Sequence, residues 1–336
     1  MKTIPGDNKT VPGVKIGHAH NLDGLTGCTV IICENGAVGG VDQRGGAPGT
    51  RETDALRPMH LVNKAHAIIL GGGSAFGLDA ATGVMQYLEE KGIGYDVGVA
   101  KVPIVSGAIL FDLAIGRADI RPDADMGYQA CVNATETPPA QGNFGAGTGA
   151  SAGKILGPHQ AMKSGIGSSI VEIGKGLFVS AVMAVNPFGD IIDPKTQSII
   201  AGTRTIHKGP IKIGRSDYFA DTLHLMTTFA GNKILAFSSG QNTIIGVITT
   251  NAKLTKEEAN KVAQMAHNGI AMTIKPAHTM LDGDTIFVMA TDKKKADVNV
   301  VGAYAAECVA SAIVNAVQHA QPVGGLPAAF KSEGNT

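Results

Sequence analysis

The sequence predicts an α+β fold, because apolar β-branched runs recur between Gly, Asn and Asp, and longer stretches carry helical spacing. With 336 residues, 44% of them apolar, the chain is long enough to bury both kinds of element in one large core or two ordinary ones. In chain order, strands are expected at residues 29–33, 67–70, 177–185, 243–250 and 285–291. A helix is expected over 77–91, where Leu78, Ala81, Val84, Met85 and Leu88 share a face and Lys91-Gly92 supplies a stop. A second is expected over 255–270: Thr255-Lys-Glu-Glu258 is a capping box, and Ala259, Val262, Ala263 and Ala266 line one side. The third, 298–319, is Ala-rich and apolar almost all round, which predicts a buried helix. Between 187 and 242 the pattern loosens into a long connection, which ends in the polar Phe237-Ser-Ser-Gly-Gln-Asn242 and places a loop-to-strand junction at Thr243. Residues 331–336 are expected to be disordered.

Composition narrows the function classes. Lys plus Arg and Asp plus Glu are 28 each, so no net field recruits nucleic acid or an anionic membrane, and a small molecule is the expected partner. Cys28, Cys33, Cys131 and Cys308 form no CxxC pair and are expected as reduced core residues. The first residues carry no apolar signal core, and no apolar run approaches the length of a membrane span; a cytoplasmic location is expected.

Several motifs invite chemistry. Gly71, Gly73 and Gly77 before a helix, with Asp96 beyond, imitate a dinucleotide-binding turn; the spacing is one residue too long, and tight strand-to-helix packing is the preferred reading, with no cofactor. His18 and His20 share a strand face, but no metal-binding spacing accompanies them, and no metal is expected. Asp282-Gly-Asp284 at the mouth of a strand puts two carboxylates on one side, either as a solvated turn or as a pair with a raised pKa that orients a third group. Thr243 is what strand propensity alone would place there. A threonine at a chain start, however, carries its own general base, since an α-amino group titrates near pH 8. Thr243 gains that amine only if the bond after Asn242 is cut.

Six blocks in order resemble the P1 family of N-terminal-nucleophile peptidases: Thr26-Gly-Cys-Thr-Val30, Arg44-Gly-Gly-Ala-Pro-Gly-Thr-Arg-Glu-Thr53, Gly71-Gly-Gly-Ser-Ala-Phe-Gly-Leu78, Gly142-Asn-Phe-Gly-Ala-Gly-Thr-Gly149, Ala184-Val-Asn-Pro-Phe-Gly189 and Asn242-Thr-Ile-Ile-Gly246. That family includes β-aminopeptidases, the L-aminopeptidase/D-esterase and the 6-aminohexanoate-oligomer (nylon) hydrolases, and the chain is most similar to the last branch around Thr243. The resemblance implies a four-layer αββα sandwich, formed by residues 1–336 as one domain and cut between Asn242 and Thr243 into fragments 1–242 and 243–336. It implies Thr243 as nucleophile, Asp282 and Asp284 as the carboxylates that orient its hydroxyl and amine, and Lys154 and Asn186 as oxyanion donors. The implied reaction is hydrolysis of linear amides through an acyl-enzyme, without cofactor or metal, by a homo-oligomer, often a tetramer. Phe111, before Asp112, stands where that branch has a tyrosine and is a candidate substrate contact. Aminopeptidase relatives carry Ser and a Ser-x-Glu pair instead of Thr243 and Asp282-Gly-Asp284, whereas Lys163-Ser-Gly-Ile-Gly167 resembles the wider family. An aminopeptidase or acyltransferase therefore stays open, and a nucleotide-binding protein is the distant alternative.

Overall fold

The computed structural model describes residues 4–5, 10–209, 211–228 and 242–329. Its main strands are β1 (Lys15–Asn21), β2 (Thr26–Gln43), β3 (Lys64–Gly71), β4 (Val105–Ile109), β5 (Ile166–Glu172), β6 (Phe178–Asn186), β7 (Thr243–Lys253) and β8 (Thr285–Lys295). Four helices cover them: α1 (Ala80–Glu90), α2 (Ala124–Val132), α3 (Lys256–Thr273) and α4 (Val298–Gln318). Pairing runs β5-β6-β7-β8-β2-β3-β4, with β1 also on β2. β7 and β8 are parallel, as are β3 and β4, and the other neighbours are antiparallel.

β2 links the two halves of this hydrogen-bonded sheet. Its first half pairs with β1 and β3, its second half pairs with β8, and the pairing with β3 continues past a register shift between Ile32 and Ala37 as far as Val38. The period-2 alternation of the strands then sorts the core into layers. Val182, Ala184, Ile245, Val247, Phe287 and Met289 meet Ile31, Ile68 and Leu70 between the two halves. Their alternates Met183, Val185, Ile244, Ile248, Ile286 and Val288 face α3 and α4, and Val30, Ile32, Ala67 and Ile69 face α1 and α2. Helices outside two packed strand layers are the αββα sandwich expected from the resemblance.

The capping box of α3 forms in both directions: the Thr255 hydroxyl accepts from Glu258 N at 3.2 Å, and Glu258 Oε2 accepts from Thr255 N at 2.8 Å. All four cysteines are buried and free, as the sequence predicts. Three expectations need correction. First, α4 is long and apolar enough to cross a membrane, contrary to the expectation that no run is; most of its surface is buried against α3, β5 and β6, so its all-round apolarity serves the core. Second, residues 74–79 form a 3₁₀ turn, and α1 begins only at Ala80. The amides there are already committed, Gly72 N to Gly27 O, Ser74 N to Leu110 O and Gly73 N to Asp112 Oδ1. A β-carbon at Gly72 would lie 2.0 Å from Asp112 Oδ2, so a buried carboxylate fills the place a phosphate would need, and the nucleotide alternative falls.

Third, 187–242 is no plain connection. It contains short strands at Asp190–Ile192, Ile199–Ala201, Ile206–Lys208 and Ile211–Ile213 and a helix at Thr222–Met226. A buried Asp190 gathers it, accepting from Thr203 N at 2.8 Å, Thr222 N at 2.6 Å and Thr222 Oγ1 at 2.8 Å. Polar anchoring of this kind leaves no hydrophobic period to read. The expected loop at 237–241 and the tail at 331–336 lie outside the described residues.

Candidate active site

Three strand ends converge at the site. β6 finishes at Asn186, which pairs directly with Thr243 at the start of β7, and Asn242 bridges Asp282 just before β8. The structure thus brings Asn186, Asn242, Thr243, Asp282 and Asp284 together, all at most 4% exposed. Thr243 Oγ1 donates to the carbonyl oxygen of Asn242, the group it would attack, and Gly283 N donates to the same oxygen at 2.9 Å. Position 283 must be glycine for this closeness, since a β-carbon there would lie 2.9 Å from Thr243 Oγ1 and 2.6 Å from Ala47 O.

Neither carboxylate takes the Thr243 hydroxyl. Asp284 accepts from Ile244 N at 2.8 Å through Oδ1 and from His278 Nδ1 at 2.8 Å through Oδ2. Asp282 accepts from Phe188 N at 3.1 Å through Oδ1, and from Thr279 N at 3.1 Å and Thr279 Oγ1 at 2.5 Å through Oδ2. Asp284 thereby fixes the backbone that follows the Asn242–Thr243 bond, and Asp282 ties its own loop to the chain just beyond β6. Burial, and then the Asp284 charge, raise Asp282 to about 6. The segment Arg44 to Ala47 cradles this loop, with Arg44 N on Asp284 O at 2.9 Å and Ala47 N on Asp282 O at 2.8 Å.

Lys154 is half-buried as a residue, yet its ammonium sits among oxygens: Nζ donates to Asn186 Oδ1 at 2.7 Å and to Asn186 O at 2.8 Å. Burial lowers it to about 7 against the pull of Asp282 and Asp112. Asn186 also organises its surroundings. Its Oδ1 accepts from Ser151 N at 3.0 Å as well, and one of its two Nδ2 hydrogens goes to Phe111 O at 2.9 Å, so the amide orients Lys154 and keeps its second N–H for another acceptor. Phe111 contributes this carbonyl, an atom that every residue type supplies.

Sequence reasoning missed the burial of two further charged side chains, Lys163 and Asp112, which influence each other through charge alone. Lys163, fully buried, donates to Gly147 O and Ala150 O at 2.9 Å each and to Ser164 O. Asp112, 2% exposed, accepts from Thr26 Oγ1 and Gly73 N at 2.7 Å each. Burial lowers Lys163 to about 7 and raises Asp112 to about 6, and each charge eases the other. Lys163→Met strands the buried carbonyls of Gly147, Ala150 and Ser164 and is expected to destabilise the fold by about 3 kcal/mol in urea unfolding. The double variant with Asp112→Asn is expected to lose less than the sum of the singles.

Residues 9–329 match peptidase family S58. The chain belongs to that family. Among its relatives, an uncharacterized aminopeptidase of Mycobacterium tuberculosis is 39% identical, over 94% of this chain and 95% of its own length. A 6-aminohexanoate-oligomer endohydrolase of Kocuria sp. is 35% identical, over 84% and 74%. The fold matches a Burkholderia sp. beta-aminopeptidase (TM-score 0.69, 20% identity, 99% of this chain and 93% of that one). It also matches the L-aminopeptidase D-Ala-esterase/amidase of Ochrobactrum anthropi, described as a variant of the Ntn hydrolase fold (TM-score 0.68, 17% identity, 95% and 88%).

This S58 chain is thus a hydrolase acting on amide bonds, and the charge of Lys154 sets part of its expected pH response. Lys154, lowered by burial to about 7, loses its charge as pH rises. The rate constant kcat/KM is therefore expected to fall at alkaline pH. In Lys154→Met that limb should vanish and the plateau should drop, which a pH–rate profile of both proteins checks.

Proposed function

We propose that the chain is an autoprocessing N-terminal-threonine amide hydrolase that cleaves linear amides, such as 6-aminohexanoate oligomers, through an acyl-enzyme. The observation that carries this reading is the Thr243 hydroxyl on the Asn242 carbonyl, at the head of a strand flanked by Asn186–Lys154 and the Asp282–Asp284 loop. In maturation, Thr243 Oγ1 attacks the Asn242 carbonyl carbon while Gly283 N–H holds the developing oxyanion. The C–N bond breaks, the nitrogen takes a proton as the Thr243 amine, and water hydrolyses the ester to free the Asn242 carboxylate. In turnover the same hydroxyl, deprotonated by its own amine, attacks the substrate carbonyl, and Lys154 stabilises the oxyanion. The substrate amine leaves with the proton, and water releases the acid. Asp284 holds the chain just after the nucleophile, and Asp282 holds the Phe188 segment beside it.

A second reading, an aminopeptidase on the same nucleophile, is favoured by the mycobacterial relatives, which match more of the chain at higher identity. The reading includes a closed homo-oligomer acting in the cytoplasm on a small molecule. Incubating the matured protein with linear 6-aminohexanoate oligomers, a β-alanyl amide and L-amino acid amides, followed by chromatography, tests both. Internal shortening of the oligomers is expected. Release of single N-terminal residues alone selects the aminopeptidase, and no hydrolysis of any of them contradicts the proposal.

A further inference from the structure

Behind Asp284 lies a residue that neither the motifs nor the mechanism above uses. His278 Nδ1 donates to Asp284 Oδ2 at 2.8 Å, and the His278 backbone N reaches the same oxygen at 3.1 Å. A carboxylate acceptor requires a proton on Nδ1, and Nε2 is buried without a hydrogen-bond partner among the described residues. The ring stands edge-on to that of His267, with centroids 4.9 Å apart and planes at 68°. His267 is fully buried and tied through Nε2 to Asp42 O at 3.0 Å, and burial lowers it to about 4, so the wall behind His278 is a neutral ring. His278 also holds φ at 56°, a left-handed conformation that is unfavourable for a non-glycine residue and persists only where the surroundings demand it.

We propose that His278 is a positioning residue for amide hydrolysis: its Nδ1–H fixes Asp284 so that the opposite oxygen, Oδ1, holds the Ile244 amide and thereby the Thr243 hydroxyl. The inference rests on the reading of Thr243 as nucleophile. His278 does not touch the nucleophile and acts through Asp284, whose Oδ2 without the ring would keep only the longer bond from the His278 backbone N.

Left-handed backbone admits Asn and Asp more readily than other side chains, so His278→Asn and His278→Asp are a matched pair in shape and backbone. The Asn amide can donate to Asp284, whereas the Asp carboxylate repels it. With a linear amide that the wild-type protein cleaves, His278→Asp is expected to lose about 100-fold in kcat with KM little changed, the size of effect a misplacement near 1 Å produces. His278→Asn is expected to recover most of that loss. Equal activities for the two variants, high or low, overturn the donor role. Thr243→Ala run in the same assay separates the two claims. If it retains activity, the nucleophile reading fails; if it is inactive while the two His278 variants match each other, only the His278 inference fails.

Discussion

Thr243→Ala is expected to yield a chain that stays full length and hydrolyses no amide at a measurable rate. The loss should be on the order of 10⁶-fold in kcat, as for removal of other covalent nucleophiles, leaving only what binding and electrostatics supply. The methyl that replaces the hydroxyethyl side chain removes the hydroxyl placed against the Asn242 carbonyl. It should barely disturb the fold, because the backbone pairing of Thr243 with Asn186 does not involve the side chain. Thr243→Ser keeps both the hydroxyl and, after cutting, the amine, and is expected to mature and to turn over. Electrophoresis and kcat on the same preparations check the pair, and a Thr243→Ala chain that is still cut or still active would require another nucleophile.

The second large effect falls on Lys154. Its ammonium, desolvated and lowered to about 7, is held in place by two oxygens of Asn186, so it offers a charge that needs no reorientation when a carbonyl oxygen becomes anionic. Lys154→Met keeps the length and removes the charge. It is expected to lower kcat by about 10²–10³-fold, the range for a lost oxyanion donor, with KM little affected. Asn186→Ala should produce part of the same loss by freeing Lys154 from its carbonyl cradle. A rise in KM with kcat unchanged in Lys154→Met would place Lys154 in ground-state binding instead.

The sandwich and most of its principal elements were legible in the sequence where burial is apolar and periodic. Four of the five expected strands lie inside β2, β3, β7 and β8, the fifth starts one residue before β6, and α3 and α4 agree to within a few residues at their ends. The short or polar pieces were not legible. β1 and β5 mix His, Asn, Ser and Glu among their apolar residues, and the region around Asp190 is organised by a carboxylate that collects threonine donors. At the site, Thr243, Asn242, Asp282, Asp284, Lys154 and Asn186 were named from motifs, and the structure gathers them at the ends of β6, β7 and β8. Their hydrogen bonding differs from expectation because a carboxylate near a backbone turn takes the nearest amides first, Ile244 N and Phe188 N, and one Nδ2 hydrogen of Asn186 goes to a carbonyl. His278, Lys163 and Asp112 carried no spacing signal. Their partners, Asp284, Gly147 and Gly73, come from loops whose packing no local period encodes.

N-terminal sequencing of the purified wild-type protein tests the central claim most directly. The account predicts two co-purifying fragments, one of which begins Thr243-Ile-Ile-Gly-Val. A full-length chain that nonetheless hydrolyses linear amides, or a fragment that begins at any other residue, would contradict it.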